Sequence, residues 1–281
     1  MKQRLLRIVA GSPSKERAGM LVREYLQARI LGLMAEAGAM VSLAFQGGTA
    51  LRFLYDMPRF SEDLDFALEA GAGNFDLGAV LEKTRSALAR EGYDTQLRKR
   101  LDRTVQSVMV RFPGLPFELG LSPRETQVLS IRVEVDSAPP PGAGLEVSLV
   151  RRYVPLRLQH HDRPSLLAGK VHAVLTREYP KGRDYYDLMW YMGDSDWPQP
   201  NMDLLGNALQ QSGWPARRIE DLDLPRALDE RFAQADWPAI RRDVAPFLQR
   251  PAEADFLNRD DMTSLLKRFY RQRERSVPRR S

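Results

Sequence analysis

A chain of 281 residues with 43% apolar and 28% charged positions carries enough apolar material for a sizeable core, exceeds a typical single domain and does not have the composition of a disordered protein. It has no cysteine, which excludes disulfides, thiolate metal sites and cysteine nucleophiles and fits a reducing, cytoplasmic setting, and it has no uninterrupted apolar stretch of the roughly 18 residues that a membrane span needs. The formal charge of +5 favours anionic partners such as nucleotides or RNA without requiring them.

From residue 15 to about 37, Met20, Leu21, Tyr25, Leu26, Ile30, Leu33 and Met34 recur at helical spacing, which predicts an amphipathic helix. The apolar run 41–45 then ends in Gly47-Gly48 and leads into 49–54, a pattern of strand, tight turn and helix that Pro58 closes. Residues 63–68 alternate with period two, so Asp63 and Asp65 leave one face of a strand and Leu64 and Phe66 the other. A helix over 75–91 is expected next, followed by strands at 93–97, 104–112, 130–136 and 146–154, with the run Pro139-Pro140-Pro141-Gly142 as a loop before the last. Past about residue 158 the strand signal ends, and 165–178, 184–192, 202–211 and 254–270 read as helices. The expectation is an α+β chain with a mixed-sheet core over 1–158 and a helical C-terminal lobe over 159–281. The basic run 267–280, which includes Phe269 and Tyr270, reads either as a contact for a phosphate backbone or as a solvated terminus.

Two carboxylates one residue apart on a strand suit divalent cations bound through hard oxygen, magnesium before others and manganese as the alternative. Such a pair repels itself, so it asks for a cation or for an arginine such as Arg59 or Arg52. Gly47 and Gly48, ahead of a helix, offer exposed N–H groups and close approach for phosphate, although glycine pairs also punctuate ordinary turns. On the strand 130–136 the alternation puts Arg132, Glu134 and Asp136 on one face. His160, His161 and His172 show no metal-site spacing, and no GxxxxGK[ST], GxGxxG or GxSxG run occurs.

The run Phe45-Gln46-Gly47-Gly48-Thr49-Ala50-Leu51-Arg52, followed by Arg59-Phe60-Ser61-Glu62-Asp63-Leu64-Asp65-Phe66, resembles the first motif of the AbiEii-type nucleotidyltransferase toxins, members of the DNA polymerase β-like superfamily. A second stretch, Lys170-Val171-His172-Ala173, then Arg177 and Arg183-Asp184-Tyr185-Tyr186-Asp187-Leu188, is similar to that family's lysine helix and its Arg-Asp-x-x-Asp-Leu motif. The resemblance implies a polymerase β-like nucleotidyltransferase core in which Asp63, Asp65, Lys170 and Asp184 are catalytic, the last two supplied by the C-terminal lobe. It implies a third acid, Glu134 or Asp136, with Glu134 favoured beside Asp63 and Asp65 as a metal ligand. Gly47, Gly48, Thr49, Ser61 and Arg177 are the expected nucleotide contacts, and Arg59, Arg183 and Asp187 support them. Lys170 and Arg177, seven apart, would share one helix face toward a triphosphate. Asp184 also reads as a helix N-cap, and Asp187 as an ion-pair partner of Lys170 or Arg183.

By the same resemblance the chain is an enzyme that uses NTP with magnesium or manganese and releases pyrophosphate. It would add nucleotides to RNA, at the tRNA 3′ acceptor end, as the toxin of an abortive-infection pair with a cognate antitoxin. The alternatives are nucleotidyl transfer to a small-molecule or protein hydroxyl, or a silent member that only binds RNA or a partner.

Overall fold

The computed structural model describes residues 2–69, 71, 73–214 and 222–274. The chain divides into two compact units: one holds the segments up to Asp56, Phe60–Pro139 and Leu145–His160, and the other holds Met57–Arg59, Pro140–Gly144 and the chain from His161 onward.

The first unit opens with helices α1 (Lys2–Ala10) and α2 (Lys15–Glu36), the second started by Ser14, whose side chain accepts from the Arg17 N–H. Then come β1 (Leu43–Gln46), α3 (Gly47–Tyr55), β2 (Leu64–Leu68), α4 (Leu77–Arg90), β3 (Gln96–Arg100), β4 (Val105–Pro113), the single turn α5 (Leu115–Glu118), β5 (Val128–Asp136), β6 (Leu145–Arg152) and β7 (Val154–His161). The strands form one seven-stranded sheet in the order β3-β4-β5-β2-β1-β7-β6. The sheet is mixed: β1 and β2 run antiparallel, as do β3 with β4 and β4 with β5, whereas β2 pairs with β5 and β1 with β7 in parallel.

Alternation divides the faces of this sheet. Leu64, Phe66, Val108, Val110, Ile131, Val133 and Val135 are buried on one face, and α2 and α4 pack onto that side of the strands. Asp65, Ser107, Met109, Arg132 and Glu134 fall on the other face and are partly or fully exposed. A buried Glu24–Arg52 ion pair, reinforced by Tyr153 donating to Glu24 at 3.0 Å, ties α2 to α3. Arg52 also stacks over the Phe60 ring, 4.3 Å from its centroid.

The second unit is helical: α6 (Arg163–Thr176), α7 (Gly182–Gly193), α8 (Met202–Gln211), α9 (Leu224–Gln234), α10 (Trp237–Val244) and α11 (Arg259–Glu274). Asp162, Asp223 and Asp236 each accept a first-turn N–H and each is followed by proline at N1 or N2, which presets the helical φ. Tyr185, Phe232 and Trp237 pack edge to face in its core, and Trp190, Tyr191 and Trp197 form a second aromatic group. Phe269 is buried, so in the basic C-terminal run this ring serves packing, and residues 275–280 of that run lie outside the described residues. No helix among the described residues is long and apolar enough to cross a membrane.

Several expectations shift. The strand expected at 93–97 lies at Gln96–Arg100, and the single strand over 146–154 becomes the pair β6 and β7 with Tyr153 at the turn in a left-handed conformation (φ 61°). Residues 254–256 end a 3-10 turn, so the last helix starts only at Arg259.

Candidate active site

The turn between β1 and α3 sets the geometry. Gly47 has a φ of 76°, open to glycine without strain, and a Cβ placed there would lie 2.5 Å from the Asp65 Oδ2. The carboxylate of Asp65 is therefore seated against the backbone of the Gly-Gly turn. No side chain caps the N-terminus of α3, which leaves first-turn N–H groups for an anion. Thr49 is fully buried and its hydroxyl donates to the Asp63 carbonyl, so its side chain fastens the approach to β2 and its hydroxyl is already committed. Ser61 is nearly buried, and its carbonyl accepts from Gln27 Nε2 at 3.1 Å. Gly47→Ala is expected to cost about 1–3 kcal/mol of stability and about 100-fold in turnover through displacement of Asp65; urea unfolding and initial rates measured on the same preparation check both.

Register decides which acid stands beside this pair. Asp65 is directly opposite Gln46 on β1 and Glu134 on β5, whereas Asp136 sits opposite Ala67, two residues farther along. Glu134 thus shares a row with Asp65 and Asp136 does not. Arg132 holds the acids from the same face, its Nε 4.0 Å from Asp63 Oδ1 and its Nη1 3.4 Å from Glu134 Oε1. This corrects the expectation for Arg52 and Arg59: Arg52 is paired with Glu24 and Arg59 with Asp187. Arg132 had been placed on the acid face by its alternation, and that was the available signal for its role.

The donor set fits a hard divalent cation: adjacent carboxylates, one of them set in a cradle that a Cβ would fill. Among the described residues no three His, Asp or Glu side chains gather into a complete protein cage. Magnesium is commonly held by one or two carboxylates, with substrate phosphates and water completing the shell, and that is the mode these residues suit.

In the second unit, five charged groups are interlocked. Arg59 donates from Nε and Nη2 to the two oxygens of Asp187, both at 2.6 Å, and this pair is almost wholly buried. Lys170 Nζ lies 2.7 Å from Asp187 and 3.0 Å from Asp184. Arg177 Nε is 3.3 Å from Asp184 Oδ2, at ion-pair distance without hydrogen-bond alignment. Asp187 therefore pairs with Lys170, as expected, and with Arg59. Arg183 instead lies over the Phe247 ring, 4.4 Å from its centroid.

Two details differ from expectation. Helix α6 ends at Thr176, and Arg177 is its cap in extended conformation, so Lys170 and Arg177 converge on Asp184 from a helix and from its exit, without sharing a helix face. Asp184 is not the N-cap of α7, a place taken by Lys181, but lies in its first turn with its carboxylate given to the cations. Gly182 starts this helix where α10 passes too close for a side chain, and its N–H donates to Asp243 at 2.7 Å.

Burial alone would lower the pKa of Lys170, but the carboxylates of Asp187 and Asp184 outweigh it and raise the value. Burial would raise Asp184, and Lys170 and Arg177 instead bring it below the ordinary aspartate value. Lys170 is thus a fixed cation at neutral pH. The contribution of Asp184 to stability is complete above the unfolded value and is lost as pH falls through the lowered folded one. That of Lys170 is complete below its unfolded value and is lost as pH rises through the raised folded one. The network holds between about pH 4 and about pH 10. In urea titrations, the stability gap between the wild type and Asp184→Asn is expected to shrink as pH drops below about 4; a gap of constant size would contradict this assignment.

Comparison with known proteins sets this geometry in a family. The chain is similar in fold to JHP933 from Helicobacter pylori, with 18% identity, a TM-score of 0.53 and coverage of 91% of this chain and 95% of the other. It is also similar to MenT4, a nucleotidyltransferase toxin from Mycobacterium tuberculosis, with 16% identity, a TM-score of 0.58 and coverage of 95% and 89%. No curated protein matches the sequence. The family profile described as nucleotidyl transferase AbiEii toxin, type IV toxin–antitoxin system, matches residues 29–259, a span that contains both the acid row and the buried cation network, and the chain belongs to that family of nucleotidyltransferase toxins.

Proposed function

We propose that this toxin transfers a nucleotidyl group from an NTP to RNA, with the tRNA 3′ acceptor end as its target, in the cytoplasm and opposed by a cognate antitoxin. The observation that carries the reading is the Asp65 carboxylate, seated on the Gly47 backbone and beside Glu134 in the register of the sheet. Magnesium or manganese, held by one or two of the carboxylates of Asp63, Asp65 and Glu134 with phosphate and water completing the shell, would supply Lewis acidity toward the phosphates and the attacking hydroxyl. The first-turn N–H groups of Gly47, Gly48 and Thr49, with Ser61, orient the triphosphate at the open end of α3. In the same reading Lys170, kept protonated by Asp184 and Asp187, meets the charge that builds up on pyrophosphate. Arg177 addresses the nucleotide, and Arg59, Arg183 and Asp187 hold the network in place.

The deciding experiment incubates the purified chain with magnesium, each labelled NTP in turn and total RNA, and resolves the products on a denaturing gel. A discrete labelled RNA band is expected. Label on protein or on a small molecule, with RNA unlabelled, would instead identify a different hydroxyl acceptor.

A further inference from the structure

The acid row continues across the sheet. Glu134 on β5 is opposite Ser107 on β4, and Ser107 is opposite Arg100 on β3; one step along, Arg132 is opposite Met109, and Met109 opposite Arg98. Register and alternation therefore place Arg98 and Arg100 on the face that carries Asp65 and Glu134. A cavity of about 630 Å³ opens there, lined by Arg98, Arg100, Arg103, Ser107, Arg132 and Glu134 among others. Among the described residues that line it, the one carboxylate is Glu134, already paired with Arg132. Lys99, also in the lining, is engaged by Glu82 at 2.7 Å. Arg98, Arg100 and Arg103 are exposed, and among the described residues no carboxylate lies within ion-pair distance of any of them. Three neighbouring cations without a counter-charge raise each other's energy and attract an anion.

We propose that this cleft is the track for the sugar–phosphate backbone of a single-stranded polynucleotide acceptor, with Arg98, Arg100 and Arg103 as its phosphate contacts. The inference rests on the reading of the chain as one that transfers nucleotides to RNA. Arg100 lies three strand spacings from Asp65, about 14 Å, and Arg98 and Arg100 stand two residues apart on β3, about 7 Å, with Arg103 following between β3 and β4. Such spacing suits phosphates that recur along a strand better than a compact triphosphate. Among the described residues no aromatic ring lines the cleft, so its grip is on the backbone and tolerant of sequence.

The test is fluorescence anisotropy with a short labelled single-stranded oligoribonucleotide, without NTP, from about 50 to about 200 mM salt. The wild type is compared with the triple variants R98A/R100A/R103A and R98K/R100K/R103K. The alanine variant is expected to bind about 10- to 100-fold more weakly at low salt, and its slope of log K against log salt to fall by about 2, since each lost contact to a single strand removes roughly 0.7. The lysine variant is expected to keep the slope, and magnesium-dependent binding of a fluorescent NTP analogue to be unchanged in both. An alanine variant with the wild-type affinity and slope overturns the proposal, and so does an equal loss in the lysine variant, which would report packing instead of charge. Failure of the functional reading shows elsewhere, as absence of NTP binding or transfer in the wild type.

Discussion

Asp63→Ala and Asp65→Ala are each expected to reduce nucleotidyl transfer by about 1,000-fold or more, the order lost when a main electrostatic contact to the transferred phosphate is removed. Neither truncation opens a deep cavity: the Asp63 side chain is 38% exposed, and Asp65 is only partly buried. Circular dichroism and urea midpoints should therefore stay close to those of the wild type, and the loss belongs to chemistry. The row of acids sharpens the prediction. Glu134→Ala should also impair transfer strongly because Glu134 is the register partner of Asp65, whereas Asp136→Ala, opposite Ala67, should leave the rate within about 3-fold of the wild type. Equal losses for Glu134→Ala and Asp136→Ala would refute the register argument.

Asp187→Ala is expected to be the most destabilising single change, by about 3–5 kcal/mol. The Asp187 side chain is fully buried, and it neutralises Arg59 and part of the charge on Lys170. Its removal leaves Arg59, 2% exposed, with a charge and two N–H donors in a place that water does not reach. Asp187→Asn keeps the shape and one acceptor but loses the charge, so it should fall between the wild type and alanine. Equilibrium urea unfolding measures the effect, and an unchanged midpoint for Asp187→Ala would show that the network does not support the fold. The transfer rate per folded molecule then separates this loss from any change in chemistry.

Local pattern carried much of this far. Period-two alternation put Asp63 and Asp65 on one face of their strand and Glu134 with Arg132 and Asp136 on one face of theirs, and the Gly47-Gly48 turn marked the start of α3, because these features are written within a few neighbouring residues. What pattern missed was of two kinds. Strand β7 contains Pro155 and ends in His160 and His161, residues that read as polar punctuation although both histidines are buried in the structure. Helices α9 and α10 are short, at 11 and 8 residues, and were passed over although each carries an Asp-x-Pro start, at Asp223-Leu224-Pro225 and Asp236-Trp237-Pro238, that could have revealed it. The other kind was long-range pairing. Nothing near Arg59 indicates that its partner is Asp187, 128 residues later, so the arginine nearest the aspartate pair in sequence looked like its counter-ion, and Arg132 was passed over.

Because the segments Met57–Arg59 and Pro140–Gly144 belong to the second unit, the chain passes between units five times, and no single cut yields two whole pieces. A fragment starting at His161 would lack Arg59 and so inherit half of a buried ion pair. The helical half is consequently not a module that recombination could append to or strip from the sheet: three residues within the first sixty are a structural part of it, and the two halves can be inherited only together.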